Sequence, residues 1–521
     1  MKAKPDAQWE TLLDDLESRR RAALSGGGER RVRRERDAGR MTARERIDAL
    51  ADPGTFLEFG TFVTTPGEGG SALPATFLCG LAEIDGRPVA VGAEDFTVQG
   101  GGVGIHLARY KGSWGGFIEE TALGYGIPLV LLMQGVGGSV ELQQEKGYPE
   151  LLATVPVFPV FDLMSSVPVV TAVLGPTAGS SAARAAISHF SVMTKDNGCL
   201  FAGGPPLVKQ SLGLEVDKME LGGWQVHARQ SGLIDNAVET EQEAIDQLRT
   251  FLSYLPSNVD ELPPRIAGED SAERGSDDIL AIVSPNGRRA YDAHALICSV
   301  VDDDSFFEMT PDYGRSIRSG LARIDGHPVG VLATDNRHLA GAMDEHSSEK
   351  QTRFVEICDT FNLPIVYFVD VPGFMIGPDA ERAGVLRKGA RAVESIHRAT
   401  VPVYTVQVRR SYGLAGQATG SPNKRSIRLA WPSGTWGDMP VQGGVESAFR
   451  QEIAAAEDPA AKRRELLERF AEQTSAWRTV EKFGVEEMID PRDTRRYLGR
   501  LLKVARQTSR PGPKTGPSVR P

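Results

Sequence analysis

The chain lacks the short motifs that mark several common kinds of enzyme. Its 521 residues contain four cysteines, Cys79, Cys199, Cys298 and Cys358, and no two of them are spaced as CxxC. This excludes the usual zinc-ribbon spacing and offers no disulfide framework, so we expect buried thiols. No Gly-Lys dipeptide occurs, which excludes a Walker A loop, and neither HExxH nor GxSxG is present. We therefore expect no bound metal and no nucleophile elbow.

Long apolar runs and an excess of positive charge are also absent. No apolar run approaches the roughly 18–20 residues that span a bilayer, and the first residues lack the apolar core of a signal peptide. Lysine and arginine number 59 and aspartate and glutamate 69, which gives a formal net charge of −10. Such an acidic chain is not expected to bind nucleic acid. We expect a cytoplasmic protein with no membrane and no nucleic-acid partner.

What the chain does have is a long internal repeat. Gly80–Val91 (GLAEIDGRPVAV) and Gly320–Val331 (GLARIDGHPVGV) are identical at nine of twelve positions. Two further pairs follow in the same order: Ile127–Met133 with Leu363–Val369, and Val167–Val173 with Val401–Gln407. A colinear repeat of this length indicates a duplicated domain rather than a solenoid, whose period is about 20–50 residues.

The alternation of short apolar runs with helical patterns predicts an α/β fold. This pattern is typical of ββα units around a mixed or parallel sheet. The repeated apolar runs are typical of strands buried on both faces. The predicted divisions are a charged helical arm (1–50), a first domain (51–255), a linker rich in proline, serine and acidic residues (256–285), a second domain (286–505) and a disordered tail (506–521).

Glycine-rich turns follow the duplicated strands, and these turns are the candidate functional sites. They lie at 135–138 and 175–184 in the first copy, and at 371–374 and 412–418 in the second. Small residues between a strand and a helix leave backbone N–H groups unpaired in a cleft. Two such donors can stabilise an oxyanion, and losing one typically costs about 3–4 kcal/mol. Tight packing alone would also explain any one turn, but four matched turns favour oxyanion stabilisation.

Six segments carry a family resemblance: MTARERIDAL (Met41–Leu50), FLEFG (Phe56–Gly60), EDFTVQGG (Glu94–Gly101), FVDVPGF (Phe368–Phe374), GVLRKGA (Gly384–Ala390) and the pair Trp431-Pro432. On these segments the chain resembles the carboxyltransferase (beta) subunit of biotin-dependent acyl-CoA carboxylases, of the propionyl/acetyl-CoA type, over roughly residues 40–505. The resemblance implies two tandem ClpP/crotonase-like domains and a homo-hexamer built as a trimer of dimers. It also implies active sites between the N-terminal domain of one subunit and the C-terminal domain of another.

The resemblance assigns the two copies different substrates. It implies that the first copy binds the coenzyme A thioester, with the backbone amides of Gly179 and Ser180 stabilising its enolate. It implies that the second copy binds carboxybiotin, with the amides of Leu414 and Ala415 holding the ureido oxygen. No side-chain base is implied, which agrees with the lack of an obvious His/Asp/Ser constellation in the sequence.

The turns depart from the usual family sequence. Gly137, Gly138, Gly373 and Gln417 are the expected substrate-binding residues, and Gln417 replaces an aspartate that helps to set acyl preference in relatives. Leu414 occupies a position where the family has glycine. Because a main-chain N–H does not depend on its side chain, we expect the backbone donors to survive these changes.

The sequence leaves several functions open. It has no Ala-Met-Lys-Met biotin attachment motif, so carboxyl transfer requires a partner that carries biotin carboxylase and biotin carboxyl carrier functions. The leading hypothesis is transfer from this partner's carboxybiotin to the α-carbon of an acyl-CoA. The first alternative is a biotin-independent acyl-CoA decarboxylase, or another acyl-CoA enzyme that forms the same enolate. The second is a non-catalytic scaffold subunit.

Overall fold

The computed structural model describes residues 7–66, 72–102, 111, 116–137, 147, 158–266, 270–271, 273–473 and 475–514. The chain forms two compact units, Met1–Leu252 and Ser253–Arg520. The division falls close to residue 255, where the repeat predicts the end of the first domain. Within the described ranges, no helix combines the length and the apolar composition that crossing a membrane requires.

The first unit combines one large sheet with ten described helices. The helices are α1 (Ala7–Leu24), α2 (Glu29–Asp37), α3 (Ala43–Leu50), α4 (Phe117–Tyr125), α5 (Phe158–Leu163), α6 (Ser180–Ala186), α7 (Pro205–Leu212), α8 (Lys218–Gly222), α9 (Trp224–His227) and α10 (Glu241–Tyr254). The strands are β1 (Leu57–Phe59), β2 (Thr64–Pro66), β3 (Ala72–Pro74), β4 (Phe77–Ile84), β5 (Arg87–Glu94), β6 (Leu129–Met133), β7 (Val169–Val173), β8 (Pro176–Ala178), β9 (Phe190–Thr194), β10 (Cys199–Phe201) and β11 (Asn236–Val238).

The large sheet of the first unit has the strand order β1-β4-β5-β6-β7-β9-β11. Strands β1, β4 and β5 pair antiparallel, and the strands from β5 to β11 pair parallel. Every residue of β6 and of β7 is buried. This confirms the strands predicted from the repeated apolar runs, because a strand covered on both faces needs no polar alternation.

The second unit repeats this plan. Its helices are α11 (Ile279–Ile282), α12 (Ala293–Val300), α13 (Glu345–Thr360), α14 (Pro378–Arg382), α15 (Val385–Arg398), α16 (Gly413–Gln417), α17 (Val441–Ala448), α18 (Arg450–Ala455), α19 (Pro459–Gln473), α20 (Ala476–Val480) and α21 (Thr494–Thr508). Its strands are β12 (Phe307–Met309), β13 (Ile317–Ile324), β14 (His327–Thr334), β15 (Ile365–Val371), β16 (Val403–Tyr412), β17 (Ile427–Ala430), β18 (Thr435–Gly437) and β19 (Glu487–Met488).

The second sheet has the order β12-β13-β14-β15-β16-β17-β19. As in the first sheet, three strands pair antiparallel and the remainder pair parallel. The same order of antiparallel and parallel strands in both units confirms the duplicated α/β fold that the sequence repeat predicts.

The repeated GLAxIDG sequence forms the same hairpin turn in each unit. Asp85 and Asp325 both adopt a positive φ of 52°, and a glycine follows each of them. Aspartate tolerates this left-handed conformation better than most residues. The carboxylate of Asp52 accepts the two backbone N–H groups of the first turn, and Asp302 accepts those of the second. Local turn chemistry therefore explains why this segment is the most similar part of the repeat.

Each unit also buries one lysine against the loop after its first strand. Lys111 Nζ donates to the carbonyl of Gly60 at 3.1 Å, and Lys350 Nζ donates to Thr310 at 2.7 Å and to Tyr313 at 3.1 Å. Burial lowers the pKa of Lys111, and it lowers the pKa of Lys350 to about 7. The lysines occupy corresponding places in the two copies, so the duplication extends to buried polar groups.

The predicted charged arm is partly packed on the first unit. Helix α1 is exposed, but α2 buries Glu35. Helix α3 begins with a capping box, in which Thr42 accepts the N–H of Glu45 and the Glu45 carboxylate accepts the N–H of Thr42. Ile47 of α3 is buried in the core. The arm is therefore continuous with the first domain from α2 onward.

The C-terminal helix extends beyond the predicted boundary at residue 505. Helix α21 ends at Thr508, and the N–H of Gly512 donates to Val259 at 2.8 Å. Lys514 Nζ donates to Asn362 Oδ1 at 2.7 Å. Backbone and side-chain contacts therefore hold the tail as far as residue 514, and residues 515–521 lie outside the described part.

One cysteine differs from the prediction of buried thiols. Cys79, Cys199 and Cys358 are buried, but Cys298 is exposed. Helix α12 buries the residues at positions 293, 296, 297 and 300, which form one stripe at helical spacing. Cys298 lies off this stripe, so its side chain faces away from the core.

Candidate active site

Three segments of the first unit, two turns and the short strand β8, meet at the carboxyl ends of its parallel strands. The turn 135–137 follows β6, a 3₁₀ turn at Gln99–Gly101 follows β5, and β8 follows β7. The N–H of Val136 donates to Gly100 at 3.0 Å, and the N–H of Ala178 donates to Gly135 at 2.9 Å. The glycine turn after β6 is therefore fixed on both sides, at the edge where open α/β sheets bind ligands.

Two glycines are required by the closeness of these turns. A Cβ atom at Gly135 would lie 2.6 Å from Oε2 of Glu94. A Cβ at Gly137, whose φ is 76°, would lie 2.8 Å from the carbonyl oxygen of Ala178. Because Ala178 precedes Gly179, two of the predicted site residues, Gly137 and Gly179, lie side by side. The neighbouring prediction at Gly138 lies outside the described residues.

The conformation of Gly179 directs the start of α6. Its φ of 63° and ψ of −126° suit glycine alone, and α6 begins at the next residue without a side-chain cap. The N–H of Gly179 donates to the carbonyl of Phe201 at 3.1 Å, so this group is already bonded. The amides of Ser180 and Ser181 belong to the first turn of α6, where helix geometry provides no intrahelical acceptor. In this turn Ser180 therefore suits the predicted donor role better than Gly179.

A buried carboxylate lies beneath these turns. Glu94 is the last residue of β5; its Oε1 accepts the Ser181 hydroxyl at 2.5 Å, and its Oε2 accepts the N–H of Gln134 at 2.9 Å. Burial raises the pKa of Glu94, against the opposing effect of the Ser181 hydrogen bond. One side chain thus joins the end of β5 to the end of β6 and to the first turn of α6.

Helix α2 contacts the same region from the arm. Gln134 Nε2 donates to Oε2 of Glu35 at 3.4 Å, and Arg40 donates to both oxygens of that carboxylate at 2.7 and 3.1 Å. Burial opposes the ionisation of Glu35, but Arg40, Gln134 and Arg46 together outweigh burial and lower its pKa. The N–H of Gly27 donates to Oγ1 of Thr97 at 2.9 Å. These hydrogen bonds therefore hold helix α2 beside Gln134, the residue that precedes the glycine turn.

The second unit has a corresponding turn at the end of β16. Gly413 has a φ of 62°, and it opens α16 without a side-chain cap. Tyr412 pairs with Gly437 of β18, just as Ala178 pairs with Phe201 of β10. Leu414 is 41% exposed and Ala415 is buried. Both of these amides belong to the first turn of α16, where helix geometry provides no intrahelical acceptor.

A buried ion cluster joins the ends of β15 and β16. Asp370 accepts hydrogen bonds from Arg409 at 2.6 and 3.1 Å and from Arg410 at 2.7 Å. Asn336 Nδ2 donates to the same carboxylate at 2.9 Å, and Arg410 also donates to the carbonyl of Ala340 at 2.9 Å. Asp370 and Arg409 are both almost fully buried. The cluster fixes the strand end that leads into the Pro-Gly-Phe turn.

Helix α15 supports both turns of the second unit. The ring of Phe374 packs on Gly389, where an added Cβ would come within 2.6 Å of a ring carbon. His397 Nε2 lies 3.1 Å from the carbonyl oxygen of Gln417. Gly389 and His397 are eight residues apart, or about 12 Å along a helix axis. Gly373, with a φ of 146°, and Gln417 therefore contact different parts of this helix, through Phe374 and His397.

Buried side chains hold the carbonyls that follow α16. Gln351 Nε2 donates to Ala418 at 2.6 Å, and the Tyr367 hydroxyl donates to Gln351 Oε1 at 3.0 Å. Thr405 Oγ1 donates to the carbonyl of Thr419 at 2.9 Å. Since α16 has only five residues, bonds at its C-terminal end also orient its first amides.

Sequence reasoning found the turns but missed the side chains that position them. Glu94 is the last residue and Asp370 the next-to-last residue of strands that are mainly apolar, and that signal could have identified them. Gln351 and Tyr367 carry no comparable signal, because they come together from a helix and a strand. Within the described ranges, the structure contains no group of three or more metal-ligating side chains.

Comparison with known proteins agrees with this architecture. The carboxyl transferase domain family matches residues 34–516. The chain is 37% identical to the carboxyltransferase subunit of propionyl-CoA carboxylase from Haloferax mediterranei, over 97% of this chain and 99% of that one. It is 34% identical to the mitochondrial propionyl-CoA carboxylase beta chain of Homo sapiens, over 94% of this chain and 90% of that one. The crystal structure of the transcarboxylase 12S hexamer with methylmalonyl-CoA matches with a TM-score of 0.87 and 30% identity, covering all of both chains.

The duplicated sheets and their strand-end turns define an enzyme of the crotonase-like carboxyltransferase class. The chain belongs to the carboxyl transferase family, and it is a carboxyltransferase of the propionyl-CoA carboxylase beta-subunit type. This confirms the family that the sequence motifs suggest, and it sets aside the interpretation as a non-catalytic scaffold.

Proposed function

We propose that the chain transfers a carboxyl group between biotin on a partner protein and the α-carbon of an acyl-CoA. The observation that supports this most strongly is the pair of turns at Gly179 and Gly413. Gly179 directly precedes a short helix and Gly413 is the first residue of another, and the two glycines have nearly the same positive φ, 63° and 62°. This shared geometry supports an oxyanion site formed by backbone N–H groups in each copy.

The first copy is proposed to stabilise the thioester enolate. The N–H of Ser180, with an N–H of the turn ending at Gly137, donates to the thioester oxygen as negative charge develops on it. Such donors lower the barrier because they bind the enolate more strongly than the thioester. Gly179 contributes its left-handed conformation, which directs the amide of Ser180. Glu94 and Ser181 act as positioning residues beneath the turn.

The second copy is proposed to receive biotin. The first-turn amides of Leu414 and Ala415 suit a neutral oxygen acceptor such as the ureido oxygen of biotin. When it is bound, biotin carries the carboxyl group that is transferred. Gly373 and Gln417 are proposed to border this site, and Gln417 is held through its carbonyl by His397.

The assembly and the partner follow from the relatives. The 12S transcarboxylase structure is described as a hexamer, and we propose a homo-hexamer for this chain. We also propose a partner that supplies biotin carboxylase and biotin carboxyl carrier functions. Mass photometry of the purified chain, and capture of biotinylated proteins that copurify with it, test these two proposals.

Carboxylation of a panel of acyl-CoAs tests the function. The purified chain is mixed with the partner's biotinyl carrier, which has been loaded with ¹⁴C-carboxylate, and acid-stable label in the carboxyacyl-CoA is measured. We expect label with at least one acyl-CoA, and its loss in both Gly179→Ala and Gly413→Ala. No acid-stable label with any acyl-CoA, under conditions where the carrier is loaded, would refute the proposal.

A second candidate is decarboxylation of a carboxyacyl-CoA without biotin. The chain is 32% identical to the alpha subunit of methylmalonyl-CoA decarboxylase of Veillonella parvula over 94% of its length, which favours decarboxylation with or without biotin. Leu414 also adds bulk at the turn proposed for biotin. Both candidates use the enolate site of the first copy. They differ in whether biotin takes part in the transfer of the carboxyl group.

A further inference from the structure

Strand β10, which holds the first oxyanion turn in place, has one edge that faces away from its partner strand. Strands β8 and β10 form a two-stranded sheet of their own, with Thr177 opposite Leu200 and Ala178 opposite Phe201. The carbonyl of Phe201 accepts the N–H of Gly179 at 3.1 Å. Because successive backbone groups of a strand point to opposite edges, the carbonyl of Leu200 points away from β8.

The imidazole of His227 bonds to this outward carbonyl. His227 is the last residue of α9; its Nε2 lies 3.0 Å from the carbonyl oxygen of Leu200, and its Nδ1 lies 3.0 Å from Oγ of Ser231. Since a carbonyl oxygen only accepts, Nε2 carries the proton and donates it. Burial lowers the pKa of His227 and so favours the neutral ring, in which Nδ1 accepts the hydroxyl of Ser231. Two hydrogen bonds therefore orient the ring.

The same residue of β10 is also packed against the helix that begins at the oxyanion turn. The side chain of Leu200 lies in a buried apolar cluster with Ala185 of α6 and with Ala228, the neighbour of His227. A Cβ atom at Gly222 would lie 2.0 Å from the Leu200 carbonyl oxygen, so the backbone of α8 covers one side of this group. A shift of β10 would therefore disturb both the acceptor of the Gly179 N–H and the packing of α6.

The second copy fastens its corresponding strand in a different way. In the register of β16 and β18, Trp436 takes the place that Leu200 has in the first copy. The indole N–H of Trp436 donates to Oγ1 of Thr479 in α20 at 3.0 Å. A side chain of the strand itself thus makes the bond there, whereas in the first copy the strand carbonyl accepts from His227. A change at His227 should therefore act on the first copy alone.

We propose that His227 is a positioning residue for the oxyanion turn of the first copy. By holding the carbonyl of Leu200 it fixes β10, and the next carbonyl of that strand, at Phe201, fixes the N–H of Gly179. The amide of Ser180 is then held where negative charge develops on the thioester oxygen. The inference rests on the proposed function, because it takes the first copy to stabilise an enolate.

Two substitutions of His227 in the full chain separate positioning from packing. Glutamine places its amide nitrogen near the position of Nε2, whereas asparagine places it near Nδ1 and cannot reach Leu200. We expect His227→Asn to lower kcat about 3- to 10-fold, the effect of one neutral hydrogen bond, with an unchanged KM for acyl-CoA. We expect His227→Gln to restore most of this loss. His294→Asn, which changes an exposed histidine of α12 in the second unit, should behave like the wild type.

Transfer of ¹⁴C-carboxylate from the loaded carrier gives kcat and KM, and titration calorimetry gives the affinity for a nitronate analogue of the thioester enolate. In His227→Asn this affinity should fall by about the same factor as kcat, because the turn binds the enolate more strongly than the thioester. Wild-type kcat and wild-type analogue affinity in this variant would overturn the inference and leave the proposed function standing.

Equal losses in His227→Asn and His227→Gln would show that the ring acts by packing, which would also overturn the inference. If His227→Asn does not fold, as judged by circular dichroism, Ser231→Ala takes its place: loss of the bond that orients the ring should lower kcat and analogue affinity together, and wild-type values would count against positioning. A wild-type chain that neither forms labelled carboxyacyl-CoA nor binds the analogue would overturn both the inference and the proposed function.

Discussion

Gly179 and Gly413 occupy corresponding positions in the two copies and share a left-handed φ, 63° in one and 62° in the other. Each glycine is followed by a first-turn residue that carries a side chain, Ser180 in the first copy and Leu414 in the second. The two turns therefore share their backbone geometry although the side chains that follow the glycines differ. This is the relationship expected if the main chain provides the catalytic donors.

Replacing either glycine by alanine should impair catalysis more than folding. A left-handed conformation costs a non-glycine residue about 1–3 kcal/mol, and relaxation of the turn would misdirect the following amide. We expect kcat to fall about 10²- to 10³-fold, the usual effect of losing one oxyanion donor. Gly213→Ala is a matched control, because Gly213 has a φ of 70° at the end of α7 and no heavy atoms near its would-be Cβ. An equal loss of kcat in the control would show that strain alone is responsible.

The two glycine variants should also separate the roles of the two copies. Gly179→Ala should weaken the binding of a nitronate analogue of the thioester enolate, because its oxyanion donors lie in the first copy. Gly413→Ala should bind this analogue like the wild type and fail only in transfer from biotin. Titration calorimetry measures both affinities. Weakened binding in Gly413→Ala alone would reverse the assignment.

Asp370→Asn should destabilise the second unit strongly. The substitution preserves the shape of the side chain but leaves the buried Arg409 guanidinium and its neighbour Arg410 without their shared carboxylate. Breaking one side of a buried ion pair costs about 3–5 kcal/mol. Urea unfolding monitored by fluorescence measures this loss. Asp379→Asn, which removes an exposed pair with Arg382, should have almost no effect; similar losses in both variants would contradict the role of burial.

Tyr367→Phe should lower kcat by acting on α16 through Gln351. Without the tyrosine hydroxyl, the Gln351 amide is no longer fixed in the orientation that donates to Ala418. The loss of one neutral hydrogen bond corresponds to about a 3- to 10-fold effect. The KM for acyl-CoA should not change, because that site belongs to the first copy. Tyr404→Phe is the control: it removes a hydroxyl that donates to the carbonyl of Leu501, and its kcat should equal that of the wild type. A raised KM for acyl-CoA in Tyr367→Phe would argue that Tyr367 does not act by positioning α16.

Lys350 should make stability depend on pH. Its pKa is lowered by burial from an ordinary 10.5 to about 7, so between these values the unfolded chain holds a proton that the folded chain has released. The stability contributed by Lys350 is therefore fully present above about pH 10.5 and is lost as the pH falls towards 7. Relative to Lys350→Met, the wild type should gain up to about 1.4 kcal/mol per pH unit as the pH rises.

Unfolding of both proteins at pH 7, 8 and 9 measures this difference. Lys388→Met is the control, since Lys388 pairs with Glu349 near the surface and should follow the wild type at each pH. Parallel pH curves for the wild type and Lys350→Met would show that the ammonium group is not desolvated in the folded chain.

The parts of the fold that the sequence predicts well are those encoded locally. The apolar runs that become β6 and β7, and the aspartate-glycine hairpins, depend on neighbouring residues and are visible in the repeat. The donor role predicted for the N–H of Gly179 depends on Phe201 of β10, whose carbonyl accepts that N–H. A pairing between two short strands distant in the chain leaves no local pattern, so sequence reasoning could not find it.

The positioning side chains show the same distinction. Glu94 and Asp370 end apolar strands and could be recognised as buried acids, but their partners come from other elements. The link between Glu35 and Gln134 joins residues far apart in the chain. Charge runs in the arm therefore predict a helix correctly but do not reveal which of its faces packs on the first unit.

The dependence on biotin is the feature that most directly separates carboxyl transfer from simple decarboxylation. We would incubate the pure chain with carboxyl-¹⁴C-labelled malonyl-CoA and methylmalonyl-CoA, with and without a biotinylated carrier, and follow both the labelled CO₂ and the label on the carrier. We predict that label leaves the thioester only when the carrier is present, and that it appears first on the carrier. Release of labelled CO₂ at an undiminished rate without any biotin would contradict the proposed transferase function.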